Sequence, residues 1–217
     1  MSVSAQVVKE LRERTGAGFM DCKKALVECE GDLTAAAEYL QKKQLASAGK
    51  KASRIAAEGL VGSYIHAGGR IGVLLEVNCE TDFVARNEDF QAFVKDVSMH
   101  IAAMNPLVVR PDELPRDLVS KQKEIFLGQA ANEGKPEHIA EKIVEGRLKK
   151  WYREVSLVEQ AFVKDTDKSV AEMETELTVK IGEKISIRRF MRFEVGEGIE
   201  KRDDDFASEV ARAASLA

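Results

Sequence analysis

Apolar side chains recur at helical spacing three times within the first forty residues. Val7, Val8 and Leu11 form a stripe behind Ser4, whose hydroxyl can accept from an unpaired first-turn amide. Thr15-Gly16-Ala17-Gly18 interrupts the stripe, and Phe19, Cys22, Leu26 and Cys29 form the next one. Gly31 closes this second helix, and Asp32 stands where it can cap a third, carried by Leu33, Ala36, Ala37 and Leu40. Three helices this short make a bundle too small to be very stable alone.

The period then changes. Residues 59–65 and 71–77 are β-rich runs joined by His66-Ala-Gly68-Gly69-Arg70, which predicts a hairpin with glycine at positive φ. Thr81-Asp82-Phe83-Val84 leads out of the second strand, and Asn87 caps the helix that follows. Glu88 and Asp89 sit in its first turn, where the helix dipole favours anions. Phe90, Phe93, Val94, Val97 and Ile101 are its buried stripe, and Asn105-Pro106 stops it. Further helices start near Pro115 and at Pro136, an N1 proline; the second carries Ile139, Ile143, Val144 and Leu148. Residues 156–163 read as a strand-like or irregular connector. Ser169 and Glu172 spell a capping box, and Gly182 ends the helix it opens. Residues 184–195 make a third strand whose alternation slips near Arg188 and Arg189, the mark of a bulge or an edge. Phe206, Val210 and Ala214 predict a short terminal helix.

The predicted fold class is therefore α+β. Residues 1–45 form a three-helix bundle, 46–58 a linker, 59–195 an α+β core with a small antiparallel sheet and several helices, and 196–217 a C-terminal helical module. A three-strand sheet is thin, and its open edges call for a cover or a partner.

Charge refines this division. Residues 1–54 carry ten basic and seven acidic side chains, whereas the tail from Glu194 onwards carries seven acidic and three basic ones. Lys42, Lys43, Lys50, Lys51 and Arg54 give residues 41–58 a solvated basic face, in a partly helical stretch that allows the bundle to move relative to the core. Over all 217 residues, 33 basic against 37 acidic side chains leave a net charge of −4, which argues against a surface built to grip nucleic acid. A hydrophobic share of 44% suffices for a real core. No apolar stretch follows a basic start and no run approaches the ~18 apolar residues of a membrane span, so the expectation is a cytoplasmic protein without a membrane segment.

Signatures of catalysis are absent. Cys22, Cys29 and Cys79 have no C-x-x-C spacing and read as small buried hydrophobes in a reducing compartment. His66, His100 and His138 lie far apart, and there is no phosphate-binding loop or nucleophile elbow, so no catalytic residue, metal or cofactor is expected. Two features remain. Arg147-Leu-Lys149-Lys150-Trp151-Tyr152-Arg153 interleaves cations with aromatics, as an RNA-stacking patch would. A helix end with cations on its dipole and partly buried rings is the favoured reading. Phe83 can be a core plug or an exposed wedge; the usual burial of phenylalanine favours the plug, and an exposed ring would mark a protein-binding anchor.

Four stretches, in order, carry a resemblance that spans nearly the whole chain. Val8-Lys-Glu-Leu-Arg-Glu-Arg-Thr-Gly-Ala-Gly-Phe-Met-Asp-Cys-Lys-Lys-Ala-Leu26 and Glu76-Val-Asn-Cys-Glu-Thr-Asp-Phe-Val-Ala-Arg-Asn87 resemble the two signature segments of the bacterial elongation factor Ts family. Ile143-Val-Glu-Gly-Arg-Leu-Lys-Lys150 and Phe193-Glu-Val-Gly-Glu-Gly-Ile-Glu200 are similar to further family segments. The resemblance implies a UBA-like fold for the bundle. It implies a non-enzymatic guanine nucleotide exchange factor, without cofactor, for the GTPase elongation factor Tu. On the matching positions, Arg12, Phe19 and Met20 contact the nucleotide-binding domain of Tu. Family members often carry methionine where Phe19 stands, which keeps an apolar anchor and changes its shape. Asp82 and Phe83, with Val84 and Ala85 behind them, form the tip that enters the GTPase near its Mg²⁺ and phosphates. The resemblance thus favours the wedge over the plug, with Asp82 holding the tip by hydrogen bonds and the terminal helix adding a second grip. Long family members carry two copies of the core unit; this chain has one hairpin, like the shorter members that pair as homodimers. The expected partners are Tu and a second copy. The alternative is an RNA-binding, translation-associated protein using residues 147–153.

Overall fold

The computed structural model describes residues 3–133 and 137–199. Its first three helices are α1 (Ala5–Thr15), α2 (Phe19–Glu28) and α3 (Leu33–Lys51). The expected caps are in place. Ser4 Oγ accepts the Val7 amide at 3.3 Å, and Asp32 Oδ1 accepts those of Thr34 and Ala35 at 2.7 and 3.0 Å. Gly16, at φ 66°, turns the chain out of α1 and donates its N–H to the Arg12 carbonyl. Val8, Leu11, Cys22, Ala25, Leu26, Ala36 and Leu40 close over one another as the bundle core.

The third helix outruns the bundle. Strong helix formers such as Gln41, Lys42 and Lys43 follow the buried Leu40, with no proline to stop them. The helix reaches Lys51 and packs its far end on α8 (Val170–Ile181). A boundary at residue 45 therefore falls inside a continuous helix, and only residues 52–57 are without regular structure before the first strand.

The core is a sheet of β1 (Glu58–Ile65), β2 (Ile71–Cys79) and β5 (Ser186–Glu194), antiparallel throughout, in the order β1-β2-β5. Gly68 and Gly69 take φ 84° and 70° in the β1–β2 turn, as the hairpin requires. In β5 the slip in alternation is both a bulge and an edge. Glu76 faces Arg189 and Val77 faces Ile187, so Arg188 is the extra residue. The bulge lets both arginines reach Glu76, at 2.7 and 2.6 Å, and these hydrogen bonds hold its carboxyl below the usual range.

One face of this sheet is covered by α5 (Glu88–Met104), whose Phe90, Phe93, Val94, Val97 and Ile101 pack on Val73, Leu75 and Val77. Asn87 Oδ1 caps it through the amides of Asp89 and Phe90. Helix and sheet approach so closely at Gly62 that a β-carbon there would overlap Cγ1 of Val94.

Beyond α5, α6 (Arg116–Asn132) and α7 (Glu137–Val155) pack along each other over a small cluster of Ala130, Ala140 and Val144. The N1 proline expected at Pro136 lies outside the described residues, as does the terminal helix expected around Phe206, Val210 and Ala214. The 156–163 connector is a 3₁₀ turn (Leu157–Glu159) followed by β3 (Ala161–Phe162), which pairs with β4 (Asp165–Ser169). No expectation covered β4, because Asp165-Thr-Asp-Lys168 has no apolar alternation to announce it. Both arms of the capping box form at α8: Ser169 Oγ accepts the Glu172 amide at 3.2 Å, and Glu172 Oε2 accepts the Ser169 amide at 2.7 Å. Cys22 and Cys79 are buried thiols, while Cys29 is half-buried as the C-cap of α2.

His100 is the one fully buried histidine among the described residues, and its partners fix its proton. Gln160 donates from Nε2 to the Glu154 carbonyl at 2.6 Å, which turns Gln160 Oε1 towards His100 Nε2 at 3.0 Å. The Val163 amide donates to Nδ1 at 3.2 Å. The ring is therefore the neutral Nε2–H tautomer, and burial pushes its pKa down. The unfolded chain then takes the proton more readily. Stability is undiminished above the ordinary histidine value of about 6.5 and falls as the pH drops below it, levelling only beneath the folded pKa. Imidazole NMR should find the neutral ring as the Nε2–H tautomer, with a midpoint below that of an ordinary histidine; a neutral Nδ1–H ring would contradict this hydrogen-bond assignment. At Gly62, substitution by alanine should cost about 1–3 kcal/mol from overpacking. The cost should shrink in a Val94→Ala background, checked by a double-mutant cycle in denaturant.

Candidate functional site

The junction between β2 and α5 is where an apolar side chain is left outside. Strand β2 ends at Cys79, and α4 (Asp82–Ala85) is a single helical turn with Thr81 at its N-cap position. The Arg86 and Asn87 amides close it on the carbonyls of Phe83 and Val84, and α5 starts immediately after. Val84 and Ala85 are half-buried and pack on the core. With those two facing inward on a one-turn helix, Phe83 faces away, and its side chain is 79% exposed. Burying such a ring would contribute about 1.5–3 kcal/mol, so the fold forgoes that stabilisation here. The core-plug reading of Phe83 is thereby excluded: the plug positions are taken by Val84 and Ala85.

Asp82 makes a hydrogen bond within the tip. Its carboxylate accepts from Arg86 at 3.0 Å, four residues along and exposed on both sides, which is a weak tie. The base of the tip is held by Thr81 instead. Its amide and hydroxyl both donate to the Glu183 carboxylate, at 3.0 and 2.8 Å, and its carbonyl accepts from the Cys79 thiol at 3.1 Å. Burial, more than any other influence, pushes that thiol pKa up, and Cys79 is packed in the core. Glu183 gave no sign in the sequence, because it lies 102 residues from Thr81.

The second expected group lies around the α1–α2 turn. Arg12 is exposed in the last turn of α1, and Phe19 and Met20, 46% and 61% exposed, open α2. Ala17 is buried between them and pins the turn, which leaves the ring and the thioether outside. The structure thus gathers Asp82, Phe83, Val84 and Ala85 on one turn, and places Arg12 before and Phe19 and Met20 after the α1–α2 connection. No hydrogen bond or ion pair among the described residues joins the two groups.

The basic and aromatic run at residues 147–153 lies at the end of α7, with Lys149, Lys150 and Arg153 exposed and Arg147 tied to α6. Arg147 bonds Glu133 at 2.6 Å and Gln129 at 3.2 Å, tying α7 to α6. Trp151 and Tyr152 are half-buried, with ring centroids 5.5 Å apart. That is the helix-end arrangement rather than a row of free stacking rings. Among the described residues, no group of three or more His, Cys, Asp or Glu could hold a metal, and no helix is long and apolar enough to cross a membrane.

Comparison with known proteins bears on this geometry. The family model described as Elongation factor TS matches residues 34–197, from α3 to just past β5. Full-length similarity extends over the bundle as well. Elongation factor Ts of Desulforamulus reducens is 63% identical over 209 residues, 96% of each chain. Elongation factor Ts of Geobacter sulfurreducens is 61% identical over 216 residues, spanning 100% of both. That of Alkaliphilus oremlandii is 61% identical over 212 residues, 98% of each. This chain belongs to the elongation factor Ts family.

Proposed function

We propose that this elongation factor acts in the cytoplasm as a guanine nucleotide exchange factor, binding the GDP form of elongation factor Tu and promoting GDP release. The observation that carries the reading is Phe83, an exposed ring on a one-turn helix whose other apolar residues are anchored in the core. The ring enters a crevice beside the Mg²⁺ and phosphate site of the GTPase. Displacing the loops that hold Mg²⁺ removes the largest local positive charge facing the β-phosphate. Linkage does the rest. A protein that binds the nucleotide-free GTPase more tightly than the GDP form weakens GDP binding by the same factor. No covalent bond forms, and incoming GTP displaces the factor. Arg12, Phe19 and Met20 supply a second contact, on the nucleotide-binding domain, where two apolar side chains and a cation are presented together.

The same chain pairs with a second copy through its sheet. One face of the sheet is covered by α5, but the other presents Val61, Ile65, Leu74, Met191 and Phe193 to solvent. The register sets them in rows: Leu74 faces Ser63 on one side and Met191 on the other, and Phe193 stands opposite Gly72. A contiguous apolar sheet face of this kind supports pairing face to face, with the Glu76, Arg188 and Arg189 cluster at its polar end.

Phe83→Ala should slow factor-stimulated GDP release from Tu by more than about tenfold, since an anchor ring of this type carries ~2 kcal/mol or more. Its melting temperature should stay within error of the parent, because the ring buries little in the free chain. Stopped-flow release at the parent rate from a well-folded variant would reject the wedge. For the dimer, Leu74→Lys should raise the dissociation constant about a hundredfold by placing a charge in an apolar interface. Sedimentation at micromolar concentration reads this directly, and a parent chain that runs there as a monomer would refute the pairing.

A further inference from the structure

The tip cannot hold its own orientation. A helix of four residues makes too few hydrogen bonds to be stable by itself, and the Thr81 hydroxyl, which would ordinarily cap it, makes no capping bond. That hydroxyl and the Thr81 amide are both turned to Glu183, in the segment between α8 and β5. The preceding residue repeats the device in the opposite direction. Glu80 Oε1 accepts the Lys184 amide at 2.7 Å, so each side chain of one segment holds the backbone of the other. A third segment is drawn in. Arg54 Nη1 donates to Glu80 Oε1 at 3.2 Å, and the Arg54 carbonyl accepts from Lys184 Nζ at 2.9 Å. Arg54 lies in residues 52–57, the stretch that tethers the helical bundle to the sheet. None of these side chains is fully buried, so plain packing does not account for the reciprocal geometry.

We propose that Glu183 is a positioning residue for nucleotide exchange: with Glu80, Lys184 and Arg54 it forms a clamp that sets the direction of the Phe83 tip and ties the bundle's tether to the base of that tip. This rests on the tip being the element that acts on the GTPase. The clamp makes the two contact groups, on the bundle and on the core, parts of one body at the point where the tether meets the sheet. Orientation errors of an ångström at a working group are costly in rate, which is why a tip without its own cap gains from a distant carboxylate.

The test uses the full-length chain and reads two quantities. Hydrogen exchange at the Thr81 amide, in the free protein, reports the clamp itself. Release of fluorescent GDP from elongation factor Tu, measured against factor concentration, separates maximal rate from half-saturation. In Glu183→Ala, Thr81 exchange should rise at least about tenfold while the Leu75 amide is unchanged. The maximal release rate should fall about tenfold, with half-saturation shifted by less than about twofold. Glu183→Gln should restore both, because its carbonyl can accept the Thr81 amide while its NH₂ donates to a reoriented hydroxyl. Thr81→Val, which removes only the hydroxyl arm, should give smaller changes in the same two readouts. Unchanged Thr81 exchange in Glu183→Ala and Thr81→Val would overturn the clamp, as would a parent maximal rate once that exchange has risen. A parent chain that fails to accelerate GDP release would instead refute the exchange reading, and the Thr81 amide would still decide the clamp.

Discussion

The packing of α5 across β2 is the constraint from which the rest of the molecule follows. A three-stranded sheet offers little area, and the approach at Gly62, where even a β-carbon would collide with Val94, indicates how tightly helix and sheet must close to use it. Both elements are anchored by large buried side chains, so the end of β2 and the cap of α5 are set in place, and the bonds of Glu80 and Thr81 to the 183–184 segment orient what lies between. Residues 80–87 are therefore fixed at both ends by the core. An apolar ring left outside on such a segment is held out in solvent on a stiff mount, which is what a protein-binding wedge requires.

Stabilisation is forgone in three places: at Phe83, at Phe19 with Met20, and along the outer face of the sheet. Isolated exposed hydrophobes are ordinary, but these are a tip, a turn and a contiguous face, each built on well-anchored neighbours. The turn at Phe19 is pinned by buried Ala17, the tip by Val84 and Ala85, and the outer face by the alternation that buries Val73, Leu75 and Val77 on the other side. In each case the same backbone that buries one residue is what exposes its neighbour. Surface of this kind suits contact with another protein.

The tether is stiffer than its composition implies. Helix α3 carries the chain beyond the bundle and lays it on α8, and Arg54 is then bonded by both its backbone and its side chain to the base of the tip. Lys43, which composition assigns to a solvated basic face, reaches back to Asp21 at the start of α2 at 3.0 Å. Charge that looks spare in the sequence is used to keep the bundle and its tether in order.

What could be read from the sequence was whatever is settled within a few residues. The caps at Ser4, Asp32, Asn87 and Ser169 and the αL glycines at 16 and 182 depend on hydrogen bonds or steric limits spanning at most four positions; the β1–β2 hairpin rests on a turn of a few residues, and the slip at Arg188 shows as a break in its own strand's alternation. The residues of the tip were legible too, through their resemblance to a family segment, although composition alone pointed Phe83 inward. The β3–β4 hairpin was hidden because its polar strand has no alternation, and the length of α3 because its far end packs on α8, a contact that no local pattern announces. The bonds of Thr81 to Glu183 and of Glu80 to Lys184 were decided only by the tertiary structure. They join segments more than a hundred positions apart, and a side chain's hydrogen-bond partner at that separation is chosen by how the core brings backbone ends together, which no local pattern records.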